Sequence, residues 1–159
     1  MTATDSLNRN VEVQKIVVFR LEDKEYALEV DVVESIERLM AITKVPKTPS
    51  YVKGVVNLRG VVTPIIDLRE RLNLKVNPLD EETRIIIVSN DEFDVGLIVD
   101  EATDVIDIPI DSIKLQPEVV GSVESEFIAG VAKVDKRLFV MLSLGKLLIP
   151  VKRVSIDEY

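Results

Sequence analysis

Two segments of the sequence follow the same pattern, Y-V-K-G-V-V-N-L-R-G-V-V-T-P-I-I-D-L at residues 51–68 and F-I-A-G-V-A-K-V-D-K-R-L-F-V-M-L-S-L at residues 127–144. Each is an apolar, β-branched stretch that a short polar turn interrupts, which is typical of a β-hairpin. An offset of 76 positions pairs Gly54 with Gly130, Val55 with Val131, Ile66 with Leu142 and Leu68 with Leu144. The agreement indicates that the chain contains an internal duplication.

An earlier pair of segments supports the same duplication. A-L-E-V-D-V-V-E-S-I starts at Ala27, and G-L-I-V-D-E-A-T-D-V starts at Gly96, an offset of 69 positions. This offset pairs Leu28 with Leu97, Val30 with Val99, Asp31 with Asp100 and Ile36 with Val105. The change of offset predicts that the connecting loop of the second half, around Pro109 to Glu124, is seven residues longer.

Strand signals dominate both halves, and four hairpins are predicted. They are Lys15–Leu21 with Glu25–Val30, Val55–Ile66 with a turn near Asn57–Gly60, Thr83–Ser89 with Phe93–Val99, and Ala129–Leu142 with a turn near Asp135–Lys136. Short helical signals follow Ile66 and Leu142, with Asp67 and Ser143 as suitable N-caps. Each half therefore has the order hairpin, linker, hairpin, short helix.

The predicted fold class is mainly β, with two small barrels from the duplication and short helices. Two closed or nearly closed β-barrels that share one interface would bury both apolar faces and leave few open edges. We expect a first repeat at about 15–72 and a second at about 83–148. The remaining segments are predicted to be a flexible N-terminal tail at 1–12 and a C-terminal tail or final helix at 151–159.

The segment after Val30 allows two local structures. Asp31 could cap a single turn that carries Val32 and Val33, after which Glu34–Arg38 continues as a strand. A full helix from Val32 to Met40 is the competing interpretation, because apolar residues at 32, 33, 36, 39 and 40 suit helical spacing.

The turn at Arg59 is where the two matching hairpins differ. Arg59 aligns with Asp135 and Gly60 with Lys136, whereas Gly54 and Gly130 match and are expected to serve the barrel itself. A feature that breaks an internal repeat is a better candidate for a specialised role than one that obeys it. We therefore predict that Arg59 faces a partner and that the valines around it belong to the barrel. Pro64 in a strand pattern predicts an edge or a bulge.

Composition excludes several kinds of function. The 159-residue chain has a net charge of −8 and no cysteine or histidine, so thiol chemistry, zinc-thiolate sites and histidine catalysis are excluded. The negative charge argues against nucleic acid and against an anionic membrane surface, and favours a protein partner. The apolar stretch Leu138–Val151 is interrupted and too short to span a membrane, and the polar start is unlike a secretory signal. These features fit a cytoplasmic protein.

No catalytic, cofactor or metal site is predicted. Nucleotide-binding glycine motifs and serine-hydrolase motifs are absent from the sequence. Acidic residues cluster at Asp91–Asp94 and recur at Asp100, Glu101, Asp104, Asp107 and Asp111. Their spacing does not match a calcium loop, and solvated acidic edges explain them. The alternative is a small β-barrel ligand-binding protein or a hydrolase with an acidic site.

Several motifs together resemble one known family. They are G-V-V-N-L-R-G-V-V-T-P-I-I-D-L at 54–68, E-Y-A-L-E-V-D-V-V-E-S-I at 25–36, V-G-L-I-V-D-E-A-T-D-V at 95–105 and F-I-A-G-V at 127–131. The chain resembles the CheW family of bacterial chemotaxis coupling proteins over about residues 13–149. The resemblance implies two SH3-like, five-stranded β-barrel subdomains and an adaptor without enzymatic activity. The chain length favours a stand-alone coupling protein over CheA or a coupling-receiver fusion.

The resemblance also implies partners and partner-binding residues. The partners are the regulatory domain of the histidine kinase CheA and the cytoplasmic tip of methyl-accepting chemoreceptors, through which the protein is recruited to membrane arrays. The arginine of the N-L-R-G motif is Arg59, with Asn57 and Gly60 beside it. The remaining positions that carry over are those of the apolar groove and one strand glycine, namely Val30, Val33, Ile36, Ala102, Val105 and Gly96.

Overall fold

The structure, a computed structural model, describes residues 12–90, 92–115 and 125–148. The described strands are β1 Val13–Leu21, β2 Lys24–Glu29, β3 Val33–Arg38, β4 Val52–Leu58, β5 Val61–Asp67, β6 Arg84–Ser89, β7 Asp94–Val99, β8 Glu101–Pro109, β9 Ile113–Lys114, β10 Ile128–Val134 and β11 Arg137–Leu142. Two short helices follow β5 and β11, α1 Leu68–Arg71 and α2 Leu144–Leu147. The mainly β fold is confirmed, whereas the predicted tails and most of the long second-half loop lie outside the described residues.

The strands form two sheets. The first sheet has the order β8-β1-β2-β11-β10-β9, and the second has the order β3-β6-β7-β5-β4. The second sheet has the predicted five strands, and the first has five long strands plus the two-residue β9. The four predicted hairpins are the pairs β1–β2, β4–β5, β6–β7 and β10–β11.

The two repeats exchange their first hairpins. β2 pairs in parallel with β11, where Tyr26 lies opposite Val140, and β5 pairs in parallel with β7, where Ile66 lies opposite Leu97. The β1–β2 hairpin of the first half therefore completes a sheet whose other strands come from the second half. The β6–β7 hairpin of the second half does the same for the first.

Within the described ranges, the buried apolar side chains divide into three clusters. One cluster fills the first barrel and includes Ile16 and Phe139, and another fills the second barrel and includes Ile65 and Ile85. The largest cluster draws residues from both sheets and joins the barrels through one shared core. This arrangement gives the shared interface that the duplication predicted.

Both short helices begin at the predicted N-caps. The Asp67 carboxylate accepts a hydrogen bond from the Glu70 N–H at 3.3 Å, and the Ser143 hydroxyl accepts one from the Lys146 N–H at 3.4 Å. Each cap satisfies one of the N–H groups that the first turn of a helix leaves free. In the ranges that the structure describes, none of the helices has the length and hydrophobicity needed to cross a membrane.

An arginine lies between residues that the duplication makes equivalent. The Arg71 guanidinium carbon is 4.7 Å from the centroid of the Tyr51 ring and 4.7 Å from that of the Phe127 ring. Its Nε donates to the carbonyl of Leu147 at 2.7 Å, at the end of α2. Because Tyr51 and Phe127 start the two aligned segments, Arg71 marks where the repeats meet. Stacking on two aromatic faces and a carbonyl bond hold it there.

The segment after β2 forms a turn and a strand. Val30–Val32 is a single 3-10 turn, and β3 follows it and pairs with β6, with Ile36 opposite Ile86. The alternative helix from Val32 to Met40 is wrong, because the ladder with β6 imposes a period of two on β3. Asp31 lies inside the turn and does not cap it, since the N-cap is Glu29 without a side-chain bond.

Gly54 and Gly130 lie at matching close approaches of neighbouring backbone. A Cβ on Gly54 would lie 2.1 Å from the Thr43 carbonyl oxygen, and one on Gly130 would lie 2.9 Å from the Lys114 carbonyl oxygen. Both glycines therefore serve their barrels, as the repeat predicted. Pro64 pairs with Val55 on β4, but the pairing with β7 begins only after the proline, so β5 is open on that side there.

Candidate partner-binding site

The turn between β4 and β5 has a tightly defined backbone. Arg59 has φ of 52° and Gly60 has φ of 87°, which is the left-handed pair that a two-residue hairpin turn of type I′ requires. The Gly60 N–H donates to the Asn57 side-chain oxygen at 2.8 Å. Asn57 therefore fixes the turn from the end of β4, and the turn holds Arg59 at its tip.

Arg59 reaches from this turn to β3. One guanidinium nitrogen lies 3.4 Å from a carboxylate oxygen of Glu37, and the Arg59 side chain is 70% exposed while that of Glu37 is 22% exposed. An exposed ion pair of this length contributes little to stability, so a partner can take the guanidinium at small cost. The remaining N–H groups of Arg59 form a fork that suits a carboxylate or a pair of carbonyls.

A cleft of about 240 Å³ lies beside Arg59. Its lining includes Leu58, Val61 and Ile87 together with the polar residues Glu34, Ser35, Thr63 and Asp94. Val61 is 55% exposed, so the prediction that all valines of this hairpin belong to the barrel is wrong at that position. Val61 follows the turn directly, on the outward face of β5, while Val56 on β4 is buried.

The predicted groove residues differ in exposure. Ile36 is 40% exposed and Val105 is 53% exposed, at equivalent positions of β3 and β8, which are edge strands of the two sheets. Val30 and Val33 are half-buried and pack against the shared core. Ile36 and Val105 are thus the groove positions that present most apolar surface, whereas the other two valines also hold the barrels together.

The last two predicted residues lie apart from the Arg59 turn. Ala102 is half-buried on β8 and lines a shallow cleft with Arg38 and Arg84. Gly96 is buried in β7, where an added Cβ would lie 2.5 Å from the Ile65 side chain. Gly96 therefore has a packing role inside the barrel. It can affect partner binding only indirectly, through the shape of β7.

The structure therefore brings together one part of the predicted site. Asn57, Arg59 and Gly60 form one turn, and the bond to Glu37 joins that turn to β3 beside Ile36. Ala102 and Val105 lie on the edge strand of the other sheet. Sequence reasoning missed Glu37 and Val61. The alternation of β3 could have indicated that Glu37 points to the side opposite Ile36.

The acidic residues of β8 and its start are ion-paired. Glu101 lies 3.0 Å from Arg20, Asp104 lies 2.9 Å from Arg137, and Asp107 lies 3.1 Å from Lys15. Asp100 forms the most buried of these pairs, with Arg69 on α1. These carboxylates thus serve the connection of strands and barrels. Within residues 12–90, 92–115 and 125–148, no group of three or more acidic side chains is placed to hold a metal ion.

Asp100 has an extensive set of donors. The Arg69 Nε donates to one carboxylate oxygen at 2.8 Å, a second Arg69 nitrogen donates to the other, and the Glu22 N–H donates at 2.9 Å. Burial alone would raise the pKa of Asp100, but these hydrogen bonds hold it below its ordinary value. The pair fixes α1 to the junction of β7 and β8.

Comparison with known proteins identifies the family. Residues 15–150 match the family described as "CheW-like domain". The chain belongs to the CheW family. It is 44% identical over 135 residues to "Chemotaxis protein CheW" of Bacillus subtilis (strain 168), covering 85% of this chain and 86% of that protein. It is 31% identical over 145 residues to "Chemotaxis protein CheW" of Klebsiella aerogenes, covering 91% and 87% of the two chains.

A solved structure of the CheW family has the same fold. The crystal structure of scaffolding protein TtCheW from Thermoanaerobacter tengcongensis superposes with a TM-score of 0.79 at 36% identity, covering 86% of this chain and 88% of that chain. The chain is accordingly a scaffold protein of chemotaxis signalling. All predicted partner-binding residues lie inside the matched CheW-like domain.

Proposed function

We propose that this CheW-family chain couples methyl-accepting chemoreceptors to the histidine kinase CheA. It binds the cytoplasmic tip of the receptors and the regulatory domain of the kinase, and it acts in the cytoplasm without catalysis of its own. It reaches the membrane through the receptor arrays. The observation that carries the proposal is the exposed Arg59 on a backbone-fixed turn beside the edge strand β3.

The surface around this turn suits a protein partner. Arg59 supplies a guanidinium that is largely in solvent, and Val61, which follows the turn directly on β5, supplies exposed apolar area beside it. Arginine is one of the residue types that concentrate binding energy in protein interfaces. An apolar stripe of a receptor helix can lie against such side chains, while the guanidinium binds a carboxylate or carbonyl at the rim.

The fold suits the role of a rigid scaffold. One shared core and the buried Arg69–Asp100 pair hold the two barrels together. A rigid adaptor fixes the geometry in which receptor and kinase meet, so a change in the receptor can bias the equilibrium of the kinase. Edge strands at Ile36 and Val105, one from each sheet, offer surfaces for two partners at once.

Binding assays with two purified partners test the proposal. The chain should bind a chemoreceptor cytoplasmic fragment and the CheA regulatory domain in separate titrations. Arg59→Ala should weaken binding to at least one of them by about 1–3 kcal/mol, as for the loss of an interface anchor. The free energy of unfolding should change by less than about 0.5 kcal/mol, because the side chain is exposed.

Lys136→Ala is the matched control, since Lys136 lies exposed at the tip of the equivalent β10–β11 turn. It should leave both titrations unchanged. Failure of the chain to bind either partner would refute the coupling function. Equal losses in Arg59→Ala and Lys136→Ala would show that general charge, and not the Arg59 turn, drives binding.

A further inference from the structure

The chain after α1 covers a small cavity beside that helix. The cavity has a volume of about 160 Å³ and is lined by Asp67 and Ile98 together with Pro78, Leu79 and Asp80 of the following segment. This segment is anchored by Leu74, which is buried in the shared core. Arg69 adds a hydrogen bond to the Lys75 carbonyl at 2.9 Å. The residues that follow the first helix thus seal the end of their barrel.

The equivalent place beside α2 is larger and more apolar. Ser143 and Glu29, which the repeat aligns with Asp67 and Ile98, lie in a cleft of about 330 Å³. Val32, Ile113, Met141 and Leu144 supply apolar side chains to its lining. The described lining comes from strands β2, β9, β10 and β11, from the turn that precedes β3, and from the start of α2. A covered cavity in one repeat therefore corresponds to a wider apolar cleft in the other.

We propose that residues 149–159 occupy this cleft, as the segment from residue 73 occupies the place beside α1. Residues 149–159 lie outside the described ranges, and the repeat and the cleft indicate where they bind. At the offset of 76 positions, residue 149 aligns with residue 73, the first residue after the α1 turn. The occupant is thus the same structural segment of the second repeat.

The composition of this segment suits the cleft. It reads I-P-V-K-R-V-S-I-D-E-Y, with apolar residues at 149, 151, 154 and 156. Apolar side chains gain free energy when they leave water for an apolar cleft. Lys152 and Arg153 interrupt them, and the rim of the cleft carries the exposed carboxylate of Glu29, with that of Asp31 two residues further on. Asp157 and Glu158 balance these two cations, so the segment has no net side-chain charge, whereas the remainder of the chain is acidic. Lys152 and Arg153 next to the carboxylates of the rim therefore favour this occupant.

Thiol labelling tests the proposal, because the chain has no cysteine. Ala129→Cys places a thiol on the lining of the cleft, and Leu138→Cys places one on β11, where Leu138 is 49% exposed. The rate of maleimide labelling is measured in the full chain and in a chain that ends at Leu148. Loss of residues 149–159 should raise the rate in the Ala129→Cys variant by about tenfold or more, as for loss of protection by a packed segment. The Leu138→Cys variant should not change.

Equal rates in the two Ala129→Cys chains would overturn the proposal. So would protection that appears only after a chemoreceptor fragment or CheA is added, since a partner would then be the occupant. If the shortened chain loses its circular dichroism signal, the full chain with Lys152→Glu and Arg153→Glu replaces it. Faster labelling in that variant supports the proposal, and an unchanged rate overturns it. Because no partner is present, this result is independent of the coupling function.

Discussion

The two repeats place different side chains on the same backbone plan, most clearly beside their helices. In the first repeat, Arg69 on α1 forms an ion pair with Asp100. The two side chains are only 10% and 18% exposed. In the equivalent place the aligned residues are Gly145 on α2 and the exposed Asp31. The aspartate is common to both repeats, and the less exposed of the two is the one that has the arginine beside it. The two repeats therefore share the course of the backbone, whereas the ion pair that helps to hold the barrels together is found beside α1 and not beside α2.

The largest effect is expected for Arg69→Ala. It should lower the free energy of unfolding by about 3–5 kcal/mol, because it leaves a buried carboxylate without its cation. Asp31→Ala, at the position equivalent to Asp100, should change it by less than about 0.5 kcal/mol. Urea denaturation of both variants measures the difference. Similar losses in the two variants would remove the proposed asymmetry between the repeats.

The same pair predicts a pH dependence. The pKa of Asp100 is lowered in the folded chain, so its contribution to stability is present above its ordinary pKa and is lost as pH falls through the folded value. In the Arg69→Ala variant, the free energy of unfolding should therefore fall less steeply as the pH is lowered. Denaturation series from about pH 7 down to about pH 3 in both proteins check this.

A smaller but substantial effect is expected at the matching glycines. Gly54→Ala should destabilise the fold by about 2–3 kcal/mol, since φ is 144° and the new Cβ would overlap the Thr43 carbonyl. Gly130→Ala should cost less, about 1–2 kcal/mol, because its nearest atoms are at 2.9 Å and its φ is ordinary. Thermal unfolding of the two variants gives the order. A larger loss at Gly130 would show that the Thr43 contact is easily relaxed.

Tyr51→Phe should raise stability by about 1 kcal/mol. The Tyr51 hydroxyl is buried and makes no hydrogen bond within the part of the chain that the structure describes, and the loss of such a group removes a desolvation cost. The ring can keep its stacking on Arg71, as the equivalent Phe127 does. Phe127→Tyr, the reverse exchange, should be neutral or destabilising. Destabilisation by Tyr51→Phe would indicate a partner for the hydroxyl.

The smallest effect is expected at the helix caps. Burial raises the pKa of Asp67 above its ordinary value, so ionisation costs more free energy in the folded chain than in the unfolded one. The stability that the protonated group contributes at low pH is therefore lost as pH rises through the folded pKa. Asp67→Asn keeps an oxygen acceptor and should be more stable at pH 7 by roughly 0.5 kcal/mol, with the gain vanishing near pH 3. Ser143→Asn serves as the control without a titrating group. A gain that does not depend on pH would point to packing.

Local patterns were sufficient for much of the fold. The period-two runs gave all four hairpins, and the short polar residues before apolar ones gave the caps at Asp67 and Ser143. The repeat itself indicated Gly54 and Gly130, because two repeats with the same backbone course have the same close backbone contacts. The N-L-R-G turn was indicated by its side chains, which depart from the repeat. Its backbone follows the repeat, since Arg59 and the aligned Asp135 have φ of 52° and 55°.

Contacts between distant segments could not be read from those patterns. Both repeats have strands of the same alternation, so nothing local decides whether β2 pairs with β5 or with β11. Glu37 reaches Arg59 across 22 residues, which no helical or strand spacing indicates. Val61 is exposed because it lies on the outward face of β5. An apolar residue in a strand pattern does not by itself show which face of the strand is buried.

The exchanged hairpins have a consequence for how the chain is made. During synthesis the β1–β2 hairpin leaves the ribosome first, yet its parallel partner β11 is among the last strands to emerge, with Ala27 opposite Met141. Such distant pairing is slow, because a long loop must close before its contacts stabilise it. The edge of β2 therefore stays unpaired until nearly the whole chain has been synthesised. The second sheet has all of its strands once β7 has emerged, so the two barrels of this scaffold become complete at different stages of synthesis.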